Sequence, residues 1–132
     1  MNFFMERSIF SSFNVFALNT YEDKKMNKVE FDILNAYYTL FKNELFKNID
    51  ADLNHVPYRI IYIKTTPEVC FQRLKKRNRP SEETIDLEYL SKLHQRYEKW
   101  VDGLSNQNEF VVQVIDGNKD KANVIAQIEK IL

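Results

Sequence analysis

Glycine is scarce in this chain: two stand in 132 residues, and neither Gly103 nor Gly117 lies in a GxxxxGK[ST] pattern, so the sequence holds no phosphate-cradling P-loop of that kind. Cysteine is scarcer still. A single Cys70 excludes an internal disulfide and suits a reducing compartment. Charge of one sign is lacking as well, since 19 basic and 19 acidic residues cancel to a net charge of zero. A general attraction to nucleic acid or to an anionic membrane is therefore not expected, and any anion site must be local. No apolar run approaches the length of a membrane span, and the start, MNFFMERS, has neither the basic beginning nor the apolar core of a signal peptide. These features lead to the expectation of a soluble intracellular protein. The length predicts one domain, long enough to bury a core but short for an α/β enzyme that must also hold two substrates.

What is present centres on Tyr58 to Glu83, YRIIYIKTTPEVCFQRLKKRNRPSEE. Ile60, Ile61 and Ile63 with Tyr58 and Tyr62 form a β-branched and aromatic run too short for a helix, the pattern of a strand buried on both faces of a parallel sheet. Thr65, Thr66 and Pro67 end it. A threonine before proline predicts a helix start, because the hydroxyl can cap a free N–H and proline at the first helical position has none to lose. Val69, Cys70, Phe71 and Leu74 give that helix its buried side. Arg73, Lys75, Lys76, Arg77 and Arg79 crowd its exposed side and exit, and cations this dense repel one another unless an anion sits among them.

Asn2 to Met5 has the composition of the end of a strand, and Glu6, Arg7 and Ser8 follow at once. Ile9, Phe10, Phe13, Phe16 and Ala17 then recur at helical spacing. An acid, a cation and a hydroxyl are thus delivered to a helix start, where open α/β sheets gather ligands. A surface ion pair between Glu6 and Arg7, with Ser8 as cap, accounts for the same residues. Thr20 to Asn27 reads as a loop. A long helix is expected from Val29 to Lys47, with Phe31, Leu34, Tyr38, Phe41 and Leu45 on one stripe. Ile33, Tyr37, Leu40 and Phe46 widen that stripe, which fits either a second face against another subunit or packing within a complete domain.

Asn48 to Pro57 reads as a surface loop, and its His55 has no second His or Cys at metal spacing. A helix from Asp86 to Val101 carries Leu87, Leu90, Leu93, Tyr97 and Trp100, with His94 in a structural role and Gly103 as its stop. After a connector at Ser105 to Glu109, Phe110 to Ile115 predicts the second clear strand, and Asp116, Gly117 and Asn118 its turn. Lys119 to Leu132 closes the chain as a helix. Strands alternating with helices in this order predict a parallel α/β sheet.

Two stretches together, ERSIFSSFNVFALN at Glu6 to Asn19 and IIYIKTTPEVCFQRLKKRNRPSEETIDLEYLSKLHQRYEKWV at Ile60 to Val101, resemble the deoxyribonucleoside kinase family. That group includes deoxycytidine, deoxyguanosine and mitochondrial thymidine kinases and the insect broad-specificity enzyme. The resemblance covers nearly the whole chain, and it is the pairing of ERS with the distant arginine-rich segment that makes it specific. It implies a P-loop-kinase-like parallel sheet with surrounding helices, here without the family's N-terminal strands and P-loop. Residues 1–132 would be the C-terminal portion of the domain, with the ERS motif at 6–8 and a lid at about 73–83.

By the same resemblance, Glu6 matches the acid that helps hold Mg²⁺, a hard cation that takes carboxylate oxygen. Arg7 matches the arginine between the nucleoside 5′-hydroxyl and the transferring phosphoryl group, where a fixed guanidinium offsets charge on the equatorial oxygens. Phe16 matches the aromatic that stacks on the base. Arg73, Arg77 and Arg79 match the lid arginines that close over the phosphates of ATP, and Glu82 the lid acid that accepts from the sugar 3′-hydroxyl. The segment from Asp116 to Asp120 matches the adenine side.

Two departures bear on substrate. Ser12 stands where cytidine- and guanosine-preferring members carry an aspartate, and Phe13 where an arginine is usual, so the base site resembles the thymidine-accepting branch. Pro80 and Ser81 replace the usual polar and acidic lid residues. The implied activity is ATP- and Mg²⁺-dependent 5′-phosphorylation of a pyrimidine deoxynucleoside in nucleotide salvage, with a P-loop half supplied from elsewhere. Two other readings stand beside it: a non-catalytic subunit or remnant that binds a partner, and an unrelated nucleotide- or RNA-binding module with a basic helix. Neutral charge and the lack of an aromatic-basic platform weigh against the last. The implied partners are a deoxynucleoside, ATP and either a second copy or a P-loop-bearing part. The implied compartment is the cytoplasm, with mitochondrial or viral origin left open.

Overall fold

The computed structural model describes residues 5–47, 58–104, 107 and 109–132. The chain divides into two compact units, Met1–Val56 and Pro57–Leu132. The strand expected at Asn2 to Met5 and the loop expected at Asn48 to Pro57 fall wholly or mainly outside the described residues.

The first unit begins with a continuous helical run made of α1 (Ile9–Ser11), a π-helical segment (Ser12–Ala17) and α2 (Leu18–Glu22). Ser8, in extended backbone at φ −150°, starts it through a capping box. Its Oγ accepts from the Ser11 N–H at 3.4 Å, and its own N–H donates to Ser11 Oγ at 3.1 Å, so two otherwise unpaired donors are satisfied. The run lasts longer than its polar sequence predicts. Thr20, expected in a loop, instead donates through Oγ1 to the Phe16 carbonyl at 2.9 Å and remains helical, a hydrogen bond back along the helix that threonine makes readily. A turn then leads to α3 (Lys28–Phe46), close to the expected bounds. Asn27 and Glu30 form its capping box.

Aromatic rings join the two helices. Phe13 stacks on Tyr38 at 4.4 Å and on Phe31 at 5.6 Å, and Tyr21 stacks on Phe31 at 4.3 Å. Phe10 meets Tyr38 edge-on and stacks on Phe46. Asn14 Nδ2 donates to the Tyr38 hydroxyl at 2.9 Å, so the phenol is paired where its ring is packed. Val15 is fully buried beneath this layer. The expected stripe of α3 is closed only in part: Phe31 and Tyr38 pack, but Leu34, Phe41 and Leu45 are exposed, as are Ile33, Tyr37 and Leu40 (51%, 58% and 54%), because the aromatic layer reaches only some turns of the helix.

The second unit is built on two parallel strands, β1 (Tyr58–Lys64) and β2 (Phe110–Asp116), in register from Tyr58 opposite Phe110 to Lys64 opposite Asp116. Between them run α4 (Pro67–Arg77), a short 3₁₀ turn (Pro80–Glu82) and α5 (Leu87–Leu104), the crossover that a parallel pair requires. The helix α6 (Lys121–Glu129) closes the chain. Phe110, Ile115, Val101 and Leu104 form its core.

In the second unit three expectations are corrected. β1 is half-buried rather than covered on both faces, and Ile63 is exposed, because the described sheet has two strands and each keeps an open edge. Thr66 occupies the cap position of α4 without a side-chain cap bond; its N–H donates instead to Asn118 Oδ1 at 2.9 Å. Gly103 does not stop α5, which runs to Leu104. Leu104 is buried, and that packing outweighs the roughly 1 kcal/mol helix penalty of glycine.

Candidate functional site

In the first unit, Glu6 and Arg7 are exposed and stand just before the Ser8 cap. Arg7 has a left-handed backbone, φ 61°, a conformation that costs a non-glycine residue roughly 1–2 kcal/mol. Its guanidinium carbon lies 4.6 Å from the centre of the Phe16 ring, within cation–π range. Ser12 and Phe16 both lie in the π-helical segment, a distortion frequent at functional sites. Ser12 is exposed and Phe16 half-buried. Phe13, which departs from the family's usual arginine, is turned into the aromatic layer against α3. The structure thus brings Arg7 and Phe16 together at a helix start, with Ser12 exposed on the following segment.

Among the described residues, no group of three or more His, Cys, Asp or Glu side chains is placed to hold a metal. Mg²⁺, expected from the resemblance, usually takes one or two carboxylates and fills its other positions with phosphate oxygen and water, and the exposed Glu6 is one carboxylate of that kind.

In the second unit, α4 ends at Asn78, whose left-handed backbone (φ 51°) turns the chain sharply. Arg77 reaches forward to Glu82 in a forked pair: Nη2 donates to Oε1 at 2.7 Å and to Oε2 at 2.8 Å, and Nε to Oε2 at 3.1 Å. Arg79 Nη1 is 3.8 Å from the same carboxylate. The Glu82 side chain is 17% exposed, whereas those of Arg77 and Arg79 are 50% and 62% exposed. The anion called for by the crowded cations is therefore supplied in part by the chain itself. Lys75 is relieved differently, with Nζ 5.1 Å from the centre of the Phe71 ring.

Arg73 has another environment. Its Nη1 donates to the Gly117 carbonyl at 2.7 Å, and Nη2 to the Lys119 and Asn118 carbonyls at 2.8 and 3.3 Å. Beside it opens a cavity of about 420 Å³, walled by Ile63 and Val124 on the apolar side and by Arg73, Lys119, Asp120 and Lys121 on the polar side. Asp120 caps α6: Oδ1 accepts from the Asn123 N–H at 2.9 Å and Oδ2 from Asn123 Nδ2 at 2.8 Å. Those bonds, the backbone one foremost, hold its carboxyl below the usual carboxylate range. Asp116 Oδ1 accepts from the Asn118 N–H at 3.0 Å. A wider hollow of about 680 Å³ at the α2–α3 turn contains none of the predicted site residues.

Cys70 is half-buried, and burial raises its thiol pKa, opposed by Arg73. That is the environment of an inert structural thiol. Two arrangements went unforeseen in the sequence. The β2–α6 turn was legible in Asp116-Gly117-Asn118, but its partner Arg73 lies more than forty residues earlier, beyond any local signal. The Tyr62 hydroxyl donates to Glu98 at 2.9 Å, and Lys64 pairs with the same carboxylate.

Comparison with known proteins bears on these residues together. The family model described as deoxynucleoside kinase matches residues 1–132. A chicken (Gallus gallus) protein named deoxycytidine kinase 2 is 39% identical over 127 residues, covering 91% of this chain and 45% of the relative. Human deoxycytidine kinase is 38% identical over 98 residues, covering 74% of this chain and 35% of the relative. Human mitochondrial thymidine kinase 2 is likewise 38% identical, covering 74% of this chain and 34% of its own length. The chain spans less than half the length of each of these relatives.

Proposed function

From the premise that the chain belongs to the deoxynucleoside kinase family, we propose that it forms the nucleoside- and lid-bearing part of an enzyme that transfers a phosphoryl group from ATP to the 5′-hydroxyl of a deoxynucleoside. A P-loop-bearing segment completes the site, since GxxxxGK[ST] is absent here and phosphoryl transfer depends on positioning by such a loop. A deoxynucleoside monophosphate product fits a role in nucleotide salvage.

The observation that carries this reading is Arg7, held in strained backbone with its guanidinium against the ring of Phe16. Strain that persists only because its surroundings enforce it is a feature of functional sites. In the proposed complex Phe16 offers its ring to the base, and Ser12 meets the base edge without charge, so pyrimidines including thymidine are accepted. Arg7 stands at the 5′-hydroxyl and offsets charge gathering on the transferred group. Glu82 accepts from the sugar 3′-hydroxyl. Arg77 and Arg79 turn to the phosphates, and Asp116 and Asp120 stand on the adenine side. Glu6 would offer a carboxylate oxygen to Mg²⁺, which would supply positive charge against the phosphate oxygens. The open stripe of α3 around Tyr37 supports assembly, either with a second copy or with the P-loop-bearing part. The same stripe supports the alternative of a non-catalytic, partner-binding subunit.

The test supplies the missing segment in trans or by fusion and follows thymidine- and deoxycytidine-dependent ATP consumption. Activity is expected, and Arg7→Lys should lower kcat by two or more orders of magnitude while helical content is retained, because an ammonium cannot reproduce the planar fork. Full activity in Arg7→Lys would remove this reading of Arg7.

A further inference from the structure

Three consecutive carbonyls after β2 converge on one side chain. Gly117, Asn118 and Lys119 all present their oxygens to the Arg73 guanidinium, the two shorter bonds at 2.7 and 2.8 Å. These carbonyls belong to a turn outside the β1–β2 ladder; Gly117 is buried, and a backbone acceptor removed from water needs a donor, while Asn118 and Lys119 are exposed and are gathered by the same guanidinium. A planar fork supplies several at fixed angles, as a point-like ammonium does not. The same turn is pinned from two other directions. Its Gly117 N–H donates to the Lys64 carbonyl at 2.7 Å, and Asn118 Oδ1 accepts from the Thr66 N–H at 2.9 Å. The turn thus ties the end of β1 to the first turns of α4, and Gly117, Lys119 and Asp120 form one wall of the cavity of about 420 Å³.

We propose that Arg73 is a positioning residue: its guanidinium sets the conformation of the Gly117–Lys119 turn, and through that wall the fit of the phosphoryl donor, instead of contacting the donor's phosphates. Arg73 differs in this from Arg77 and Arg79. Those two are balanced by a carboxylate that a phosphate can replace with like charge, whereas Arg73 is engaged by neutral carbonyls whose loss would release the turn. The ordering of the turn stands on the hydrogen bonds alone. The consequence for the donor rests on the reading given under Proposed function.

The experiment is amide hydrogen exchange on the full chain without nucleotide, comparing wild type with Arg73→Lys, Arg73→Gln and Arg77→Ala. Exchange at the Thr66, Gly117 and Asn118 amides should rise at least tenfold in Arg73→Lys, which keeps charge but loses the fork, and stay unchanged in Arg77→Ala. Arg73→Gln keeps a planar donor without charge and should show intermediate protection; it serves also if the lysine variant does not fold. Wild-type protection in the Arg73 variant that folds overturns the proposal. With the P-loop segment supplied, KM for ATP should rise several-fold in Arg73→Lys with kcat unchanged, and a fall in kcat at unchanged KM would instead make Arg73 a ligand of the transferred group. Rising exchange in a completed chain without kinase activity would leave the positioning role intact and remove the functional reading.

Discussion

Arg7 and Gly117 show how single residues carry backbone constraints of opposite kinds. At Arg7 the constraint is conformational: a left-handed φ of 61° is maintained between the Phe16 ring and the Ser8 cap. At Gly117 it is spatial. A Cβ there would collide with Thr65 Oγ1, approach Ile63 Cγ2 to 2.8 Å and the Lys64 carbonyl to 3.0 Å, so Gly117→Ala should destabilise the second unit by about 1–3 kcal/mol. Urea unfolding measures this, and wild-type stability in the variant would show that the turn can move away from β1. Ser12 belongs to the same scale. In the completed enzyme Ser12→Asp should lower the ratio of kcat/KM for thymidine over deoxycytidine, because a carboxylate facing a carbonyl edge lacks a donor, a loss of about 1–3 kcal/mol. An unchanged ratio would mean that the base is read elsewhere.

At the scale of elements, β1 and α5 are coupled by a polar contact at the strand's end. Tyr62 stacks on Tyr97 at 5.8 Å and hydrogen-bonds Glu98, which also pairs with Lys64. The Glu98 carboxyl is held below its ordinary pKa, first by the hydrogen bond from Lys64 and then by that from Tyr62, with burial opposing. Its ionised form is favoured by folding, so this stability is present above about pH 4.5 and is lost as pH falls through the depressed value. Tyr62 is shifted the other way. Burial, then the bond to Glu98, raises its phenol well above the ordinary 10.0, so its contribution holds below about pH 10 and fades as pH rises toward the raised value. Melting temperature against pH should therefore fall less steeply below pH 4.5 in Glu98→Gln, and less steeply above pH 10 in Tyr62→Phe. Limbs parallel to wild type in both variants would show that the cluster is not coupled to folding.

At the scale of the whole molecule, the described sheet has two strands and hence open edges, and α3 presents exposed apolar side chains. Such surfaces favour association. Purified as these 132 residues alone, the protein should self-associate in sedimentation experiments and consume no ATP in response to a deoxynucleoside; a monomeric chain that phosphorylates thymidine would overturn both expectations.

Local chemistry was sufficient for much of this protein. The β-branched run at Tyr58 to Ile63, the helix start at Pro67, and the existence of α3 and α5 were legible because strands and helix starts depend on neighbours in sequence, as do the short ERS and arginine-rich motifs that carry the family resemblance. Family membership follows from the same motifs. Other features needed the chain to fold: the helical run reaching Glu22, α5 passing through Gly103 to bury Leu104, and Phe13 turned into the layer under Tyr38. The partners of Arg73, and the Tyr62–Glu98 contact, join residues dozens of positions apart. No periodicity predicts such pairs, because they are chosen by which carbonyls and carboxylates the tertiary packing leaves needing a donor.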